Sequence, residues 1–190
     1  RGAFPLAPGT PRTVGRAFYP RRGYVLNLQG GGAVESLLSD TSFVRLYGRH
    51  TQYFRAGDKG RLILRGELGS VLADRLEGIP TDFLFRAGGD NSVRGYDYQS
   101  LGRKLSGGVE SVRYLATGAA EYNYFFDGKW GMAVFIDAGD AADSPGDLSP
   151  VFGYGVGARY RSPVGPINLD LAYGEATDEF RLHFSLGVSF

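Results

Sequence analysis

Asp137 and Asp140, and further along Glu175, Asp178 and Glu179, set carboxylates close enough in sequence for an acid and base pair or a cation site. Neither group brings the rest of such a site with it. No nucleophile-elbow pattern or phosphate loop accompanies them, and the two histidines, His50 and His183, stand alone in the sequence. Gly30-Gly31-Gly32 lacks the Lys-Ser/Thr that a phosphate loop needs and reads as a flexible or bulged strand. The charges of Asp140–Asp147 read as a solvated loop. The absence of cysteine removes a thiol nucleophile, a thiolate zinc site and any disulfide. These residues do not assemble an enzyme, and no cofactor or metal is expected. A net charge of +1 offers no excess for neutralising a phosphate backbone, which disfavours a nucleic-acid partner.

The elements that must position the remaining charges are strands. Glycine accounts for 30 of the 190 residues, about twice its usual share, alongside 13 Phe and 12 Tyr. No apolar run approaches the roughly 18 residues of a spanning helix. With a mean hydropathy of −0.18, the composition leaves a soluble β domain or a transmembrane β-barrel. Alternation is cleanest at the C-terminus, where Phe180, Leu182, Phe184, Leu186, Val188 and Phe190 share one face and Arg181, His183, Ser185, Gly187 and Ser189 the other. The same dyad recurs in Ile167–Gly174, Phe152–Arg161, Trp130–Gly139, Arg113–Phe126 and Arg61–Leu68. Two weaker candidates, Ser42–Arg55 and Tyr24–Val34, bring the expected total to eight strands of about ten residues, near the length that crosses a bilayer when tilted.

The faces that are not apolar carry Arg, Glu, Asp, Asn and many glycines, as a hydrated lumen would. A soluble sandwich would bury the same alternation the other way round. Aromatics near strand ends, such as Tyr24, Trp130, Tyr160 and Tyr173, favour a membrane girdle. Connector lengths agree: from Ser70 onward they alternate long (about 70–110), short (Asp127–Lys129), long (Asp140–Pro150) and short (Arg161–Pro166). The C-terminus then lies on the periplasmic side, although the link before Phe180 should be external and is short. Residues 1–19 are expected to form a leading loop or irregular segment, and 20–190 the barrel portion. A start at Arg1, without an initiator Met or a charged-then-apolar segment, is expected of a piece cut from a longer precursor.

The long loop is not of low complexity, and a loop of such length within a compact domain is usually functional or disordered. Its run Phe85–Tyr96 resembles the sixth extracellular loop of the outer-membrane assembly and secretion superfamily, whose hallmark is the tetrad Val-Arg-Gly-Tyr, here Val93, Arg94, Gly95 and Tyr96. Within that superfamily, which includes BamA, the stretch Arg86–Leu101 is most similar to the TamA branch, the barrel of the translocation and assembly module. Gly118 and Glu121 match the family's Gly-x-x-Glu on the strand after the loop, and Phe135, Asp137 and Gly139 its Phe-x-Asp-x-Gly on the next. Ser162–Ile167, followed by Leu169-Asp170, is similar to its last-but-one hairpin. The resemblance covers Pro20–Phe190 and implies an all-β, antiparallel transmembrane barrel portion, the C-terminal eight strands of sixteen. The family's periplasmic POTRA domains and first eight strands are not in this sequence.

The resemblance further implies that the loop folds back into the lumen and that Arg94 meets Glu121 and Asp137, which alternation alone places on one side of neighbouring strands. A guanidinium suits this role because its planar fork donates two parallel hydrogen bonds to a carboxylate, which Lys cannot reproduce. Gly95 would let the chain turn sharply there. The terminal Phe184, Leu186, Gly187, Val188 and Phe190 resemble the strand signal read by the assembly machinery, whose backbone edge pairs by strand addition. Gly187 sits where a missing side chain weakens or kinks that strand.

The implied function is insertion or translocation of outer-membrane proteins, autotransporters above all, in the bacterial outer membrane. The implied partners are lipid, the substrate barrels, and a TamB-like periplasmic protein engaged through POTRA domains. A passive pore or two-partner secretion channel, or an inactive structural fragment, shares these features. Closure stays open at this point. Eight closed strands leave no interior space for the loop, and an open half exposes two unpaired edges, which is not viable in lipid. The alternatives are a fragment within a larger assembly, self-associated halves, or a small barrel with the loop outside.

Overall fold

The structure is a computed structural model that describes residues 22–33, 41–163 and 165–187. The leading segment 1–19 and the terminal residues Val188 and Phe190 lie outside the described residues. Among the described residues, ten strands occur in chain order: β1 (Gly23–Ala33), β2 (Phe43–Ala56), β3 (Gly60–Ala73), β4 (Arg103–Leu105), β5 (Gly108–Glu110), β6 (Tyr114–Phe125), β7 (Trp130–Ala142), β8 (Val151–Ser162), β9 (Gly165–Gly174) and β10 (Glu179–Leu186). The eight long ones form one antiparallel sheet in the order β1-β2-β3-β6-β7-β8-β9-β10, and β4 and β5 pair separately as a hairpin.

Side-chain alternation sorts the sheet into two faces. Leu64, Leu68 and Leu72 on β3, and Trp130, Met132, Val134 and Ile136 on β7, stand exposed on the outer face. Glu67 and Val71, and Ala133, Phe135 and Asp137, are buried on the inner one. Apolar outside and polar within is the pattern of a membrane barrel and the inverse of a sandwich. The chain is half of such a barrel, left open: β1 and β10 have no further strand partner among the described residues.

The connector between β3 and β6 explains why the sheet does not close. It packs on the inner face, where Ile79, Phe85, Ala87, Val93, Tyr96, Leu101 and Val112 bury themselves with Phe43, Val71, Leu115 and Ala141 of the sheet. This core takes the space that eight strands closing on themselves would need, so the small barrel with an external loop is not what forms. Two further expectations change. The loop begins after Ala73 rather than at Ser70, because the dyad persists: Val71 points inward and fully buried while Leu72 faces out. And the loop is not structureless, having a short 3-10 turn at Thr81–Phe83, the β4–β5 hairpin, and bridges Phe85 to Val112 and Ala87 to Leu101. The link before β10 is a tight turn over residues 175–178, with Asp178 at φ 55° and its carboxylate 2.5 Å from the Tyr173 hydroxyl.

Candidate functional site

Register delivers the acidic groups to one place. Glu121 on β6 lies beside Phe135 on β7, Asp137 beside Gly153 on β8, and Asp170 on β9 between Gly157 and His183 of β10. Into this group the loop inserts Arg94, which is 5% exposed, against an Asp137 that is fully buried. Arg94 donates from Nε to Asp137 Oδ2 at 2.7 Å and from Nη2 to Oδ1 at 2.9 Å, a bidentate fork reinforced by its backbone N–H to Oδ2 at 3.0 Å. Its Nη1 is shared between Glu121 Oε2 at 2.7 Å and Asp170 Oδ2 at 3.0 Å. The guanidinium lies over the Phe135 ring, 3.4 Å from the centroid. Burial works against its charge, but hydrogen bonding and attraction to Asp137, then Glu121, outweigh it and hold Arg94 above its ordinary value.

A second arginine ties the acids together from below. Arg159 on β8 donates Nε to Asn123 Oδ1 at 2.9 Å, sets Nη2 3.2 Å from Glu121 Oε2, and pairs through Nη1 with Asp170. Arg65 on β3 reaches the loop instead, giving Nη2 to the Ser92 carbonyl at 3.1 Å. Each carboxylate in this network faces a cation, which is what makes burying three of them tolerable.

The strand under the loop is built to receive it. A Cβ at Gly153 would stand 1.8 Å from the Arg94 carbonyl oxygen, one at Gly155 would meet the Phe135 ring at 2.7 Å, and one at Gly157 would lie 1.7 Å from Asp170 Oδ1. Alternate glycines thus leave the inner face of β8 bare from Gly153 to Gly157, ahead of Arg159, and loop backbone, ring and carboxylate rest on that stretch. Gly95 has φ +93°, and a Cβ there would come 2.8 Å from the Gly174 nitrogen, so it is required twice over. Tyr96, 2% exposed, donates its hydroxyl to the Phe152 carbonyl at 2.9 Å and accepts from the Ala176 N–H at 3.0 Å. Val93 is fully buried in the apolar part of the loop core.

The profile of the Omp85 superfamily domain matches residues 10–190. The chain belongs to the Omp85 superfamily. This Omp85 chain is 35% identical over 115 residues to outer envelope protein 80, chloroplastic, of Arabidopsis thaliana, a match covering 55% of this chain and 14% of that protein. It is 31% identical over 175 residues to the chloroplastic outer envelope protein 80 of Oryza sativa subsp. japonica, covering 86% of this chain and 24% of that one. Its fold is similar to part of BamA from Haemophilus ducreyi lacking POTRA domains 1-3, with a TM-score of 0.74 at 18% identity over 94% of this chain and 41% of the other. The chain therefore spans only a seventh to a quarter of the plant relatives' length.

Among the residues singled out in the sequence, the Omp85 fold brings Arg94 to Glu121, Phe135 and Asp137. It does not bring Gly118 there. That glycine is on the outer face of β6 with Tyr122 and Tyr124, and a Cβ on it would meet nothing nearer than the Arg65 carbonyl at 3.9 Å. Gly139 lies on the inner face but serves strand packing, since a Cβ there would press on Thr117 and the Ala116 carbonyl at 2.8 Å. Phe184 and Leu186 face outward, and Gly187, just after β10, donates to the Pro166 carbonyl at 2.8 Å, where an added Cβ would lie 2.7 Å from the Pro166 ring. Sequence reasoning missed Asp170, Arg159, Asn123 and His183. Alternation had put all four on the inner face, but nothing in it says which inward residues a distant loop will touch. His183 in particular is not alone: it accepts a hydrogen bond from the Gly95 N–H and meets Asp90.

Proposed function

We propose that this chain is the C-terminal barrel half of an outer-membrane factor that inserts or translocates other β-barrel proteins. The observation that carries this reading is the buried Arg94 cluster, which fixes a forty-residue loop inside the half-barrel and against its open edge strand. Three carboxylates and two guanidiniums are withdrawn from water to hold it there. Omp85 membership supports it, as does the exposed edge of β10, able to template an incoming strand. The driving energy comes from the substrate, because every backbone group left unpaired in lipid costs several kcal/mol.

The finer assignment rests on the resemblance of Arg86–Leu101 to the TamA branch: autotransporter-type substrates, a bacterial outer membrane, and a TamB-like partner held by domains outside this chain. The test is reconstitution of the full-length protein in lipid vesicles with an unfolded autotransporter barrel, scored by protease protection of the inserted product. Insertion faster than into empty vesicles, and slowed by Arg94→Ala, is expected. Conductance without accelerated insertion would instead make the protein a pore.

A further inference from the structure

The last strand of the sheet is fastened to the loop by contacts that the Arg94 cluster does not include. On β10, His183 is 9% exposed, and its Nε2 accepts the backbone N–H of Gly95 at 2.9 Å. Its Nδ1 faces the Asp90 carboxylate of the same loop, and two residues away Arg181 pairs with Asp97. A ring nitrogen that accepts must carry no proton, so the neutral ring holds its hydrogen on Nδ1 and gives it to Asp90. One imidazole thereby satisfies the tip of the loop on one side and its shoulder on the other.

We propose that His183 is a positioning residue that latches the terminal strand to the loop tip in its neutral form, and that protonation opens the latch. A second proton would put an Nε2–H against the Gly95 N–H, two donors with no acceptor between them. Gly95 is held on both sides, because the Arg94 N–H is bound to Asp137 and the Tyr96 hydroxyl to the Phe152 carbonyl and the Ala176 N–H, so its peptide is not free to turn away. The charged groups around the ring do not remove the conflict. Asp90, Arg94 and Asp97 face it from the loop, Asp170 from β9 and Arg181 from β10, while Arg49 of β2, Arg65 and Glu67 of β3, Arg86 of the loop, Glu121 of β6 and Arg159 of β8 line the same two cavities. Arg94 and Asp170 are engaged with each other and Asp97 with Arg181, while Asp90 attracts the imidazolium without offering Gly95 an acceptor. The inference concerns the coupling of strand to loop and does not depend on what the protein inserts.

The experiment is amide exchange on the full-length protein in nanodiscs, reading peptides over residues 93–96 and 180–186 as protection factors corrected for the intrinsic pH dependence of exchange. In the wild type, Gly95 protection is expected to fall about fivefold, the worth of one hydrogen bond, between about pH 8 and about pH 5. His183→Gln, whose amide oxygen accepts without titrating, should keep its protection at both pH values. His183→Leu should lack it at both. Wild-type protection that does not change with pH, or a pH-dependent loss that persists in His183→Gln, would overturn the proposal even if the Leu variant failed to fold.

Discussion

Arg94 is surrounded so completely that its replacements should rank by geometry rather than by charge. Removing the side chain in Arg94→Ala leaves Asp137, Glu121 and Asp170 converging on a void, and a loss of about 3–5 kcal/mol in unfolding free energy, read as a lower urea midpoint of the detergent-solubilised protein, is expected. Arg94→Lys restores the charge but not the fork to Asp137 and should recover only part of it. Arg86, whose Nη1 stands 3.4 Å from the Val109 carbonyl, and Arg103, an exposed partner of Glu110 and Asp143, make good controls, and their alanine variants should leave the midpoint unchanged. Equal behaviour of all three alanine variants would show that the cluster does not hold the loop.

At the scale of elements, β8 makes a sharper prediction than any side chain. Gly153→Ala and Gly157→Ala push a methyl into the Arg94 carbonyl and the Asp170 carboxylate, and each should cost about 1–3 kcal/mol and speed protease nicking of the loop. Gly118→Ala, in open space on the outer face of β6, should do neither. The turn before β7 offers a pH test: the Trp130 and Lys129 N–H groups, 2.7 and 2.9 Å from Asp127 Oδ1, hold that carboxyl below the usual carboxylate range. Its contribution is therefore present at neutral pH and lost as pH falls through that lowered value, so the melting curves of Asp127→Ala and wild type should converge in acid. The strands were legible because a period of two survives even in β1 and β2, where the apolar face is broken by Gly48, His50 and Gln52. Glu121 and Asp137 were legible for the same reason, with a motif to join them to Arg94. The glycine face of β8 was visible as composition and silent as meaning, because only a backbone arriving from sixty residues away explains why Cβ atoms are missing there. The β4–β5 hairpin was not legible at all, since its three-residue strands are too short to show a period.

At the scale of the whole molecule, the described residues form a sheet whose two margins have no further strand partner among them, and in lipid neither β1 nor β10 can stay so. Expressed alone, this chain should give particles that hold two or more copies of the 20.6 kDa chain once the nanodisc contribution is subtracted; a single-chain particle would mean that the margins join. The loop crosses the inner face from an apolar seat at Phe43 and Val71 to a polar one at Asp137, Asp170 and His183. It thus behaves as a mandrel, fixing how tightly the strands can curl and so how many are needed to complete the circle. Replacing residues 75–112 by a short turn should release that gauge. The same eight strands would then be free to close on themselves as a single-chain cylinder, and the circumference of the barrel would prove to be written in a segment that is not part of its wall.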